Sequence, residues 1–304
     1  MSVTVLVPDD LGMNALADIP DVHRVRYSLD EPLSAAARAA QVLVPPALVG
    51  PRVLDLIPQL PALRYVQLLS AGAEVWVGQL PDGVLLSTCR GAHGGSTAEL
   101  VMAGLLARLR NVDGFAEDQR AHRWNQHPTD TLQDKRVLVI GAGDLGHQLE
   151  RRLLAFDAEV TLAGRHARDG VRGMDEVPEL LGAHDIVVLM VPLTHETRGL
   201  VDAAFLARMP DGALLVNVAR GPVVDTDALL AELKSRRLGA ILDVTDPEPL
   251  PAGHPLWTVQ GLTLFPHVGG ACRGMTERSW RVAAAEIARY AAGESPKNVV
   301  RGSY

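Results

Sequence analysis

Three short stretches each place one chemically distinct group directly after an apolar run. Asn217-Val218-Ala219-Arg220-Gly221-Pro222 offers a permanent cation whose guanidinium fork fits a carboxylate. Asp243 to Leu250 offers Glu248, an acid set between Pro247 and Pro249. Pro266-His267-Val268-Gly269-Gly270 offers an imidazole, a group type that exchanges protons near neutrality. Together they suit proton transfer at a carbinol or carbonyl group: the imidazole moves the hydroxyl proton, the carboxylate orients the ring, and the arginine anchors and polarises the substrate. Taken singly, each has a plainer account. An arginine before Gly-Pro can cap a helix, a loop glutamate can be solvated, and a lone histidine after a strand is more often structural. Recurrence at three successive strand ends favours chemistry, because open α/β sheets bind ligands beyond the carboxyl ends of their strands.

The elements that must position these groups start from Lys135 to Gly146, KRVLVIGAGDLG. An apolar strand, Val137 to Ile140, runs into Gly141-Ala142-Gly143-Asp144-Leu145-Gly146, the G-x-G-x-x-G spacing of a dinucleotide-binding turn. Gly141 permits the tight turn, Gly143 the close approach of a pyrophosphate, and Gly146 close packing of the next helix. That helix, His147 to Ala155, presents its N-terminus to the phosphates. A second strand, Val160 to Ala163, completes the βαβ unit. It ends in Gly164-Arg165-His166-Ala167-Arg168, with no carboxylate before Asp169 to hold a ribose 2'-hydroxyl. Arg165 and Arg168 are placed to pair with a 2'-phosphate, which favours NADP(H) and leaves NAD(H) possible. A solvated surface pair is the alternative for these two arginines. Beside a nicotinamide, the Arg220, Glu248 and His267 set suits reversible hydride transfer.

The remaining sequence alternates strand and helix. Val3 to Val7, Val22 to Tyr27, Val42 to Val44, Arg64 to Leu68 and Val84 to Leu86 read as strands, with helical character at Leu33 to Ala40. After the fourth run, Leu69-Ser70-Ala71-Gly72-Ala73 offers backbone N–H groups to an anion such as a carboxylate, or forms an ordinary glycine turn. Ser96-Thr97-Ala98-Glu99 has capping-box spacing and is expected to open a helix, Ala98 to Arg110, buried on every face. Asn111 to Asp134 reads as a helix end plus an arm carrying Trp124, a residue suited to packing on a partner subunit or on its own domain. Strands follow at Ile186 to Val191, Leu214 to Val218, Ala240 to Val244 and Thr263 to Phe265, with helices at Ala203 to Met209, Ala228 to Ser235 and Thr276 to Ala292. The expectation is an α/β protein of two Rossmann-like domains: a doubly wound parallel-sheet cofactor domain of six strands, 96–275, and a smaller flavodoxin-like substrate domain, 1–95 plus 276–304.

Composition narrows the functional classes. The 304 residues carry a net charge of −7 without a basic block, which argues against nucleic acid or an anionic membrane as main partner. No apolar run reaches the roughly 18 residues needed to span a bilayer, and the chain opens without a signal-peptide pattern, so a cytoplasmic protein is expected. Two cysteines, Cys89 and Cys272, make no disulfide framework and lack metal-ligand spacing, so no metal is expected.

On the glycine turn, Val191-Pro192-Leu193-Thr194-His195-Glu196-Thr197, Asn217 to Asp225, Asp243 to Leu250 and Pro266 to Gly270, the sequence resembles the D-isomer-specific 2-hydroxyacid dehydrogenases over nearly its whole length. The resemblance implies that Arg220 binds substrate, Glu248 partners His267, and His267 is the acid/base. It places Asp243 at the nicotinamide carboxamide and gives the Leu69, Ser70, Ala71 and Gly72 loop the substrate carboxylate. It implies cofactor contacts from Val191, Pro192, Thr197, Val218, Ala219, Gly269 and Gly270, and a homodimer formed through the cofactor domains. Gly164-Arg165 resembles the NADPH-using glyoxylate and hydroxypyruvate reductases, which points to a small 2-keto or 2-hydroxy acid as substrate. The segment Gly270-Ala271-Cys272-Arg273-Gly274 departs from the family's usual small, threonine-containing run at the active-site rim. Related scaffolds leave other functions open. One is a corepressor-like protein that senses nicotinamide redox state; another is a phosphite dehydrogenase. A formate dehydrogenase is disfavoured because it would carry Gln at the position of Glu248.

Overall fold

The computed structural model describes residues 2–47 and 51–300. Met1 and residues 301–304, assigned above to the substrate domain, lie outside the described residues. The chain divides into two compact units, Met1–His93 with Arg273–Tyr304, and Gly94–Cys272.

In the first unit β1 (Val3–Val7), α1 (Asp10–Ala15), β2 (Val22–Arg26), α2 (Ala35–Arg38), β3 (Val42–Leu43), β4 (Tyr65–Gln67) and β5 (Leu85–Ser87) build a parallel sheet in the order β2-β1-β3-β4-β5. This is the flavodoxin-like order. Alternate side chains of β1 serve opposite faces: Leu6 packs with Leu43 and Val66, while Val5 and Val7 pack with Val42 and Tyr65.

In the second unit α3 (Gly94–Leu109) and α4 (Val112–Arg120) precede β6 (Arg136–Ile140), α5 (Asp144–Leu154), β7 (Glu159–Gly164), β8 (Val171–Gly173), α6 (Val177–Leu180), β9 (Ile186–Leu189), α7 (Ala203–Arg208), β10 (Leu214–Asn217), α8 (Thr226–Lys234), β11 (Gly239–Leu242) and β12 (Leu262–Leu264). The parallel sheet runs β12-β11-β10-β9-β6-β7-β8, the doubly wound order extended by a strand. Val, Ile and Leu fill β9 and the first three positions of β10 because helices cover both faces of a parallel sheet.

Four expectations are corrected here. The sheet has seven strands among the described residues, not six; β8 is too short to show a period. The first helix of this unit begins at Gly94, so Ser96 lies inside its first turn and does not cap it. Nor is that helix buried all round: Val101, Met102 and Leu105 are buried, but Glu99 and Ala103 are exposed, because alanine tolerates either environment. The polar stretch after it also holds a separate helix, α4.

The last helix, α9 (Met275–Ala291), packs in the first unit. Its Trp280 is 1 % exposed and lies over Gly12 of α1, with Nε1 donating to Asp9 Oδ2 at 3.1 Å. Beyond it, Thr88 N–H donates to Asn298 O and Val300 N–H to Leu86 O, extending the edge at β5. No described helix is long and apolar enough to cross a membrane.

Candidate active site

All three chemical stretches lie at the carboxyl ends of neighbouring strands of the second unit: Arg220 after β10, Glu248 after β11 and His267 after β12. His267 Nδ1 lies 2.5 Å from Glu248 Oε1, with side chains 45 % and 40 % exposed. An ionised carboxylate only accepts, so Nδ1 carries the hydrogen and Nε2 is left to exchange a proton with a ligand.

The backbone at His267 has φ +54, a left-handed conformation rarely adopted outside glycine. Asp243 holds it there. Its carbonyl accepts His267 N–H at 2.8 Å, its Oδ1 accepts Val268 N–H at 2.7 Å, and its Oδ2 accepts Gly269 N–H at 2.9 Å. Asp243 is 3 % exposed, so these bonds satisfy a buried carboxylate. Sequence reading attached Asp243 to the cofactor and missed its bonds to this loop.

Arg220 ends a turn stitched by Asn217, whose Nδ2 donates to Arg220 O and whose Oδ1 accepts Ala219 N–H, both at 3.0 Å. The arginine's Nη1 donates to Ala219 O at 2.7 Å. Gly221 then touches the next loop: a Cβ there would lie 1.9 Å from Thr245 O. A cavity of about 430 Å³ opens beside the dyad, lined by Asp243, Thr245, Glu248, Leu250, Trp257 and Phe265 among others. Arg220 is not part of that lining. Trp257 fixes its indole by donating Nε1–H to Pro251 O at 2.8 Å, and no local sequence pattern marked it.

The glycine turn between β6 and α5 has the shape a dinucleotide requires. Gly141 has φ +121, and a Cβ on it would meet Met190 O at 2.4 Å. A Cβ on Gly146 would meet Gly141 O at 2.1 Å, so helix and turn are in backbone contact. Gly143 caps α5 in extended conformation with open space around it, leaving the helix N-terminus accessible to a phosphate. These residues therefore fit a pyrophosphate. Asp144 begins α5 and turns its buried Oδ2 toward Gly94, and Leu145 packs on the apolar layer that includes Val139 and Leu162.

At the end of β7, Gly164 is buried while Arg165, His166 and Arg168 are exposed. Arg168 Nη2 donates to Ala142 O in the glycine turn at 2.6 Å, and Arg165 Nη2 meets Glu196 Oε2 at 3.3 Å. Glu196 belongs to a turn in which Thr197 Oγ1 donates to Pro192 O at 2.6 Å. Val191 is half-buried after β9, and Val218 and Ala219 are buried after β10; Gly270 is half-buried and Gly269 buried beside Asp243.

The Leu69 to Gly72 loop belongs to the first unit. It follows β4 with Leu69 buried, Ala71 half-buried, and Ser70 Oγ donating to Gly72 O at 2.8 Å. His93 Nε2 lies 3.2 Å from Leu69 O and 3.3 Å from Ser279 Oγ, tying this loop to α9.

The chain is similar to known proteins over most of its length. The family model described as the NAD binding domain of D-isomer specific 2-hydroxyacid dehydrogenases matches residues 102–269. The human glyoxylate reductase/hydroxypyruvate reductase is 30 % identical over 88 % of this chain and 88 % of its own length. The glyoxylate reductase of Thermofilum pendens is 29 % identical over 98 % of this chain and 93 % of its own. Among solved structures, a D-isomer specific 2-hydroxyacid dehydrogenase from Xanthobacter autotrophicus Py2 in complex with NADPH and MES is 31 % identical, with TM-score 0.82 over 98 % of both chains. Fold, glycine turn and sequence agree, and the chain belongs to the D-isomer specific 2-hydroxyacid dehydrogenases, NAD(P)-dependent oxidoreductases.

Proposed function

We propose that this enzyme reduces a small 2-keto acid of the glyoxylate or hydroxypyruvate type to the D-2-hydroxy acid, with NADP(H) preferred over NAD(H). The observation that carries the mechanism is the 2.5 Å contact between His267 Nδ1 and Glu248 Oε1. It fixes the ring so that Nε2 faces away from the carboxylate and donates a proton to the keto oxygen during reduction. Glu248 stabilises the imidazolium that exists before that donation. Arg220 receives the substrate carboxylate and polarises the keto group.

The Gly141 to Gly146 turn would hold the pyrophosphate of the dinucleotide, which would supply the hydride from its reduced nicotinamide. Arg165 favours a 2'-phosphorylated ribose. Substrate and cofactor class are supported by the reductase names of relatives near 30 % identity, and by the NADPH-dependent glyoxylate/hydroxypyruvate reductase of Sinorhizobium meliloti solved with NADP and sulfate, 25 % identical at TM-score 0.81. A homodimer through the second unit belongs to this proposal, and Trp124, 95 % exposed, offers apolar surface for it.

The test is absorbance loss of NADPH and of NADH with glyoxylate, hydroxypyruvate, pyruvate and a branched 2-keto acid. Turnover with the first two, and a higher kcat/KM for NADPH, is expected. Turnover confined to the branched acid, or none with any keto acid, would contradict the proposal.

A further inference from the structure

The corner where β7 ends contains a carboxylate that the strand itself does not supply. Residues 164–168 hold no acid, yet Glu196, 31 positions beyond Arg165, brings Oε2 to 3.3 Å from Arg165 Nη2. The position of Glu196 is built. Thr194, 7 % exposed, donates its hydroxyl to the same Oε2 at 2.7 Å, and Thr194 N–H donates to Thr197 Oγ1 at 2.8 Å. Hydrogen bonds from the Thr194 hydroxyl and from its own backbone, with the charge of Arg165, hold the Glu196 carboxyl below the usual range, so it is ionised at neutral pH. Arg165 and Glu196 are 59 % and 60 % exposed and open to a dissolved ligand, whereas Arg168 already donates to Ala142 O.

We propose that Glu196 is a specificity-determining residue for the cofactor: it occupies Arg165 when no 2'-phosphate is present, and it accepts the hydroxyl of an unphosphorylated ribose. This rests on the assignment of the β7 corner to the adenosine ribose made above. A 2'-phosphate must displace Glu196 from Arg165, so part of the attraction is lost to that exchange. A ribose diol meets instead a carboxylate already oriented by Thr194. The pair therefore moderates the preference that Arg165 alone would impose, and lets one corner serve both cofactors.

The test is calorimetric binding of 2',5'-ADP and of ADP-ribose, two probes that lack nicotinamide and cannot react. Glu196→Gln is expected to tighten 2',5'-ADP about two- to five-fold, the scale of an exposed ion pair. It should weaken ADP-ribose roughly three- to ten-fold, because a neutral amide is a poorer acceptor than a carboxylate. The ratio of the two affinities then rises roughly six- to fifty-fold. An unchanged or falling ratio overturns the proposal. Arg165→Ala separates the two layers of argument. If it weakens 2',5'-ADP while Glu196→Gln leaves the ratio unmoved, the role of Glu196 alone fails. If it leaves 2',5'-ADP binding unaltered, the phosphate assignment of this corner fails, and the role of Glu196 with it.

Discussion

Gly221→Ala is expected to damage catalysis without touching any reacting group. An ideal Cβ at this position would lie 1.9 Å from Thr245 O, 2.2 Å from Thr245 C and 2.8 Å from Asp246 N. All three are backbone atoms, so no side chain can swing away. Neither loop retreats freely: Asn217 stitches the Arg220 turn, while Thr245 Oγ1 donates to Pro247 O at 2.8 Å and Thr226 Oγ1 to Asp246 O at 3.0 Å. Ordinary contact requires the two loops to separate by about 1.5 Å. Overpacking of this kind costs about 1–3 kcal/mol, and each kcal/mol moves Tm by roughly 2–4 °C in a chain of this size. Arg220 lies on one loop and Glu248 on the other, and a displacement of about 1 Å in a reacting geometry can cost on the order of 100-fold in rate. The assay pairs a circular dichroism melt with steady-state kinetics and direct NADPH binding. A variant that melts roughly 2–12 °C lower, binds NADPH normally and loses about 100-fold in kcat/KM agrees with this reasoning. Wild-type Tm and kcat/KM together would refute it.

Two further outcomes are expected. Arg220→Lys should raise KM for the keto acid and lower kcat, because an ammonium cannot reproduce a two-pronged contact; an unchanged kcat/KM in steady-state assays would place the arginine outside the site. Cys89 is wholly buried and its thiol donates to Ser279 O at 3.1 Å, and burial pushes its pKa up to about 12. A thiol reagent at pH 8 should therefore spare Cys89 in the folded protein and modify it only after denaturation, which mass spectrometry of labelled peptides would read.

Strands and glycine chemistry were legible in the sequence where a local pattern carries them. The first strand was read at its observed bounds, Val3–Val7, because five apolar or β-branched residues stand before a Pro-Asp-Asp turn. The glycine turn was legible because each glycine answers a separate backbone demand. By contrast, α1 contains Gly12 and Asn14, poor helix formers, and exists because Asp9 accepts Gly12 N–H and Trp280 packs over it from α9. Such a helix depends on contacts 271 positions apart. At the site, strand-end spacing pointed to Glu248 and His267 separately; the clamp of Asp243 on residues 267–269, the Gly221–Thr245 contact and the Arg165–Glu196 pair each join distant segments without a local signature. Sequence also read Arg165 as facing a corner without a carboxylate, and tertiary structure supplies one from the turn after β9.

The proton chemistry of His267 is tested most directly by His267→Ala assayed in parallel for turnover and for NADPH binding. General acid–base assistance is worth about 10² to 10⁴ in rate, so kcat should fall by that factor, while the Kd for NADPH measured by fluorescence stays within about two-fold of wild type. Wild-type kcat in the folded variant would contradict the assignment of the 2.5 Å His267–Glu248 pair as the proton-transferring group.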